Sequence, residues 1–220
     1  MKFEIHENIK QKKSHCQLGY LMIHNAKVQG TPTSLAQKFF RLQTSISEIY
    51  NIDGLGKTPR LAAVRNLYNK DEFDITRYNM DSEELVQRVL RKKDAYYVNS
   101  AVVAAQYCSI HFLLPVGLYD LDQINGDISY GLPVEESYIN SNGESMPTDG
   151  QEFLSDNHGI FANEIVDTRR TAVTLSTKNL LAVVYANEKV TRDELLDILN
   201  LIGETIICYN GGVVERQEII

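Results

Sequence analysis

Gly117, Tyr119 and Asp120 place a phenol and a carboxylate beside a position that has no side chain. A glycine lets backbone or ligand approach closely, so the three residues can frame an opening. Asp120 could hold an ammonium group there or orient a water molecule. Farther along, Arg170 could bind a carboxylate or phosphate, and Thr171 and Thr177 could donate hydroxyls. Asn99 and Asn179 offer amides to such a pocket, although both residues equally suit helix or turn caps. Each of the others also has a plainer reading. Arg170, following Arg169, could form an ion pair with Asp167 or Glu164, and the stretch from Asp120 to Asp127, with its Asn125-Gly126 turn pair, could be conformational punctuation only.

Other chemistries find no support. Gly54-Leu55-Gly56-Lys57-Thr58 looks like half of a phosphate-binding loop, but the first glycine of that motif falls on Asn51 and no strand precedes it. The histidines at 6, 15, 24, 111 and 158 lack metal-ligand spacing, so no metal is expected. His111 reads as a core or boundary residue, and His158 as a turn residue. Cys16, Cys108 and Cys208 are odd in number and far apart, which suits reduced thiols in a cytoplasm better than disulfides. There is no GxSxG elbow, and nothing calls for a cofactor. Neither a signal peptide nor an apolar run of membrane-spanning length is visible, so a cytoplasmic protein without a membrane partner is expected.

The elements that must position these residues can be read from periodicity. A chain of 220 residues with 43% hydrophobic content is expected to form a single domain with a full core. Phe3 to Ile5 and Gln17 to Val28 read as strands. A helix opens at Pro32-Thr33-Ser34, with Leu35, Phe39, Leu42, Ile46 and Ile49 on its apolar face. Thr58-Pro59 starts another, burying Leu61, Val64 and Leu67. Asp81 and Glu84 resemble a capping box ahead of Leu85, Val89 and Leu90. Asn99 caps a helix that is apolar nearly all round and therefore central, and Pro115 stops it. Short strands and turns fill residues 115–184. A last helix begins at Thr191 and ends at Gly211-Gly212. Helices, then strands, then a helix indicate α+β, with mixed or antiparallel sheets and packed helices.

Four segments, in order, carry a family resemblance: Val98-Asn99, Leu114 to Asp122 with Ile124 to Ile128, Asp167-Thr168-Arg169-Arg170-Thr171, and Thr177 to Leu181. Together they resemble the B3/B4 family, which comprises the tRNA-editing domain of the phenylalanyl-tRNA synthetase beta subunit and its stand-alone bacterial relatives. The core of the match spans residues 56–186. The resemblance implies RNA binding and a hydrolase-like removal of a wrong amino acid from tRNA in trans. Such chemistry needs donors for a developing oxyanion, a group to orient or deprotonate water, and an acceptor for the ammonium. It points to Asn99, Gly117, Tyr119, Asp120, Arg170, Thr171 and Thr177 as substrate-binding.

Two departures from the pattern matter. The editing motif carries histidine where this chain has Gly117, and glutamate at the position aligned with Val183, so no catalytic residue is assigned. The net charge of -7 also argues against binding nucleic acid mainly through phosphates. A local basic run, Arg88, Arg91, Lys92 and Lys93, is the candidate RNA contact, with a smaller one at Lys10, Lys12 and Lys13; both could be solvated surface. Two partners therefore stay open: an aminoacylated tRNA end, or a small amino-acid-like ligand sensed without catalysis.

Overall fold

The computed structural model describes residues 1–12, 16–68, 81–93 and 95–220. Lys13 and His15, and the side chains of Lys12, Leu67 and Asp81, lie outside that description. The chain runs β1 (Phe3–Ile5), α1 (Glu7–Lys12), β2 (Gln17–His24), α2 (Thr33–Ile49), α3 (Ile52–Leu55), α4 (Pro59–Tyr68), α5 (Asp81–Leu90) and α6 (Ser100–Phe112). It continues with β3 (Val116–Asp120), β4 (Ile128–Gly131), β5 (Ser137–Ile139), β6 (Ser145–Pro147), β7 (Phe153–Asp156), β8 (Gly159–Ala162), β9 (Leu180–Ala186), α7 (Arg192–Asn210) and β10 (Val213–Ile219). The class is α+β, as the element order implies.

A central antiparallel sheet, in the order β10-β2-β9-β3, lies between two other layers. Period-2 alternation sends successive side chains to opposite faces. Leu21, Ile23, Ala182, Val184 and Val116 join the helices in one apolar cluster. Tyr20, Met22, Leu181, Val183 and Tyr119 join the second sheet, β1-β4-β7-β8, in another. β9 is therefore buried along its whole length, which is why Leu180 to Ala186 reads as an unbroken apolar run. α7 crosses β2 closely because Gly19 has no side chain: a Cβ there would lie 2.9 Å from Leu199 Cδ1.

Several boundaries differ from the periodicity. β2 ends at His24 because Asn25 adopts a positive φ of 59°. Ile49, expected on the buried face of α2, is exposed at the last turn. The strand β10 escapes a hydrophobicity reading because Val213–Ile219 mixes charges into an edge strand. α7 is capped as expected, with Thr191 Oγ1 accepting from the Glu194 N–H at 3.2 Å. Among the described residues, no helix is long and apolar enough to cross a membrane.

Candidate functional site

The site is built on β3. Asn99 caps α6 by accepting from the Ala101 and Val102 N–H groups, and the helix ends at Leu113, whose left-handed φ of 54° turns the chain before Pro115. Among the described residues β3 then pairs only with β9, in the register Gly117↔Val183 and Leu118↔Ala182. The Tyr185 N–H donates to Pro115 O and the Leu121 N–H donates to Asn179 O. Antiparallel pairs alternate between bonded and non-bonded, so the backbone groups of Val116, Leu118 and Asp120 face the sheet's free edge. Gly117 and Val183, the two positions that the resemblance aligns with the editing motif's histidine and glutamate, are thus cross-strand neighbours on the inner face. That space is filled. A Cβ on Gly117 would lie 1.9 Å from the Tyr119 Oη, so the phenol folds back over the glycine and takes the place of its side chain. Tyr119 is fully buried, edge-on to Phe161 with its hydroxyl 3.2 Å from that of Tyr185.

Beside the free edge lies a cavity of about 520 Å³ between α5, α6, β3 and the segment from Asp167 to Val173. Its apolar wall includes Leu85, Val98, Val102, Val116, Leu118 and Val173. Its polar members include Gln106, Asp167, Thr168 and Thr171. Among the described residues, Gln106 Oε1, Thr168 Oγ1 and Thr171 Oγ1 are buried without a hydrogen-bond partner, and the two threonines are 5% and 0% exposed. Buried polar groups are seldom left unpaired, because each costs about 1–3 kcal/mol. Three such atoms around one cavity mark a place where a ligand or water would complete the bonding. Asp167 is half-buried as a residue, yet its carboxyl is desolvated. Burial raises its pKa to about 6, and a hydrogen bond with Tyr119 opposes the rise. Among the described lining residues the charges are Glu84 and Asp167, with no lysine, arginine or histidine.

Of the residues expected to bind substrate, Tyr119 and Thr171 line this cavity. The others are engaged elsewhere. Asn99 is the α6 cap and also donates from Nδ2 to Val173 O at 3.2 Å. Asp120 Oδ2 accepts from Thr177 Oγ1 at 2.6 Å and Oδ1 from the Asp122 N–H at 3.1 Å, so these two residues lock the turn after β3. Arg170 pairs with Asp156 rather than with Asp167 or Glu164: Nη1 and Nη2 each donate to that carboxylate at 2.9 Å. It also donates to Gln123 O and Gly159 O. Asn179 ties turns together, accepting from the Asn25 N–H and donating to Asp122. His158 occupies a turn beside Asn125, and His111 stacks on Tyr107 at the exposed end of α6. None of the three cysteines is in a disulfide among the described residues, and burial pushes the Cys108 thiol up to about 12.

Within the basic run, Arg88 lies over the ring of Tyr96, a cavity-lining residue, at 3.9 Å from the centroid. Arg91, Lys92 and Lys93 are exposed just past α5 and do not line the cavity. Gln106, Asp167, Thr168 and the Leu118 amide escape a reading by residue type. One signal is present: Gln106 is the one amide in a helix that is apolar nearly all round.

Residues 73–195, more than half of the chain, match the model of the B3/4 domain. A solved structure of an N-terminal fragment of the phenylalanyl-tRNA synthetase beta-subunit from Pyrococcus horikoshii is similar, with a TM-score of 0.50 and 12% identity. The similarity covers 99% of this chain and 53% of that one, so the chain spans about half the fragment's length. No curated protein matches. At that identity the structural likeness speaks for the fold, while the match over residues 73–195 carries the family: the chain belongs to the B3/4 domain family.

Proposed function

We propose that the cavity beside β3 receives the aminoacyl end of a charged tRNA. The observation that carries this reading is one cavity combining carboxylate charge, unpartnered hydroxyls, an edge-strand amide and an apolar wall. An aminoacyl ester presents complementary groups. Its ammonium suits a lining charged by Asp167 and Glu84, its carbonyl suits the outward-facing Leu118 N–H, and its side chain suits the aliphatic wall. The Arg88–Tyr96 stack brings the basic end of α5 to the cavity rim, where the tRNA phosphates would follow. Membership of the B3/4 family and a fold like that of a tRNA-synthetase fragment agree with this reading.

The test uses a hydrolysis-resistant 3′-aminoacyl-amide of adenosine, its N-acetylated form and adenosine alone, with a panel of side chains. Binding of the free-amine compound, at least tenfold tighter than either control, is the expected result. Equal affinity for all three would refute the reading. A rival has its own support: no basic side chain lines the cavity among the described residues, which suits a free amino-acid-like molecule sensed without tRNA. A thermal-shift series with free amino acids against the adenosine amides separates the two, because a ligand that binds the native state raises its melting temperature.

A further inference from the structure

The family's histidine and glutamate positions are occupied here by Gly117, covered by the Tyr119 side chain, and by its cross-strand neighbour Val183, so any hydrolysis must draw its base from elsewhere. Resting on the reading above, we propose that Asp167 is the general base of an ester hydrolysis in this cavity and that Tyr119 is its positioning residue.

The geometry singles out Asp167. It lines the cavity beside Thr168 and Thr171, whose hydroxyls are unpartnered, and its carboxyl is hydrogen-bonded to the Tyr119 phenol. Tyr119 is held in turn by Tyr185 through the 3.2 Å contact between hydroxyls, and by the edge of Phe161. A base must be oriented as well as available, and the Tyr119 phenol, which lines the same cavity, is the hydrogen-bond partner of this carboxyl. The titratable groups around Asp167 are Tyr119 on β3, its hydrogen-bond partner, which itself meets Tyr185 of β9, and Glu84 of α5, which lines the same cavity; Glu164, three residues earlier in the chain, accepts from Tyr130 of β4. Arg169 is exposed and Arg170 is committed to Asp156, so neither neutralises it. Burial then leaves the carboxylate basic enough to act near neutral pH.

The step balances without a co-reactant. The Asp167 carboxylate takes a proton from water while the water oxygen bonds to the ester carbonyl carbon, and the carbonyl oxygen becomes an oxyanion beside the Leu118 N–H. The bond from that carbon to the ribose oxygen then breaks, and the proton passes from Asp167 to the departing ribose oxygen. The products are a free amino acid and an uncharged 3′ end.

The experiment measures deacylation of a mischarged-tRNA panel and, separately, binding of the non-hydrolysable adenosine amide. Asp167→Asn is expected to cut hydrolysis by about 10²–10⁴ while lowering amide affinity by no more than about tenfold, because Glu84 still offers the ammonium a carboxylate. Tyr119→Phe is expected to move the acid limb of the pH–rate profile to higher pH, because it removes the bond that favours the ionised carboxylate. Asp167→Asn keeping a third or more of the rate would overturn the proposal, as would a Tyr119→Phe profile that falls without shifting. Wild-type protein that binds the amide but hydrolyses nothing also overturns it and leaves the binding reading intact. No binding of the amide removes both.

Discussion

Arg170→Met offers the sharpest test of what is structural and what is functional near this cavity. The substitution keeps apolar bulk and deletes the guanidinium, with its two bonds to Asp156 and two to the carbonyls of Gln123 and Gly159. The Asp156 side chain is 0% exposed and the Arg170 side chain 28%. Removing one partner of a buried ion pair costs about 3–5 kcal/mol. The partial exposure of Arg170, and the 2.8 Å N–H bonds that Asn125 and His158 still donate to Asp156, reduce this to about 2–4 kcal/mol. The pH dependence follows from the same contacts. Burial pushes the Asp156 pKa up, but Arg170 and the two amides outweigh it and leave a net lowering. A lowered carboxylate pKa contributes stability above the unfolded value of about 3.8, and that stability is lost as pH falls through the folded value. Without Arg170 the carboxylate loses the largest of the contacts that lower its pKa, so the variant's deficit is greatest at neutral pH and shrinks below about pH 4. Urea unfolding at both pH values, with the Arg170→Met/Asp156→Asn double variant completing the cycle, measures it. A deficit under about 0.5 kcal/mol at pH 7, together with loss of adenosine-amide binding, would refute the reasoning and make Arg170 a ligand-binding residue.

Three further outcomes are expected. Gly117→Ala, whose Cβ would meet the Tyr119 ring, is destabilised by about 1–3 kcal/mol in denaturant unfolding. Thr171→Val replaces a buried, unpartnered hydroxyl with a near-isosteric methyl; the fold is unchanged or more stable by up to about 1 kcal/mol, while amide affinity falls. Asp167→Asn gains stability as pH rises. Burial lifts the wild-type pKa to about 6, so wild-type stability is full below the unfolded value near 3.8 and declines as pH passes through 6. The asparagine variant escapes that decline, with a gain of up to about 3 kcal/mol at pH 7.5 that vanishes near pH 3.5 in thermal unfolding.

The helices and their caps were legible because their signals are local. Asn99 and Thr191 each sit one residue before a helix and bond its first amides. The segment Leu114 to Asp120 leads to the cavity, since β3 forms one of its walls. Where its side chains turn is decided at long range. Whether Asp120 faces a ligand or Thr177, and whether Arg170 faces a phosphate or Asp156, depends on partners 57 and 14 residues away. Asp167 enters the sequence reading in the Asp167–Thr171 segment and as a partner for Arg170, not as a site residue. Its proposed role rests on Tyr119 of β3, a contact that spacing cannot reveal. The Leu118 donor has no residue-type signature at all; it emerges only once the pairing of β3 with β9 is known.

That amide has a consequence for how such proteins diverge. A contact made by main chain is indifferent to substitution: any non-proline residue at position 118 would offer the same N–H, so long as β3 keeps its register. On the proposed reading, side chains at positions such as 117 and 183 can differ while the backbone donor that would cradle a carbonyl comes with the strand itself. What separates an editing enzyme from a mere receptor on this scaffold can therefore be one or two side chains, and a change of activity need not disturb the grip.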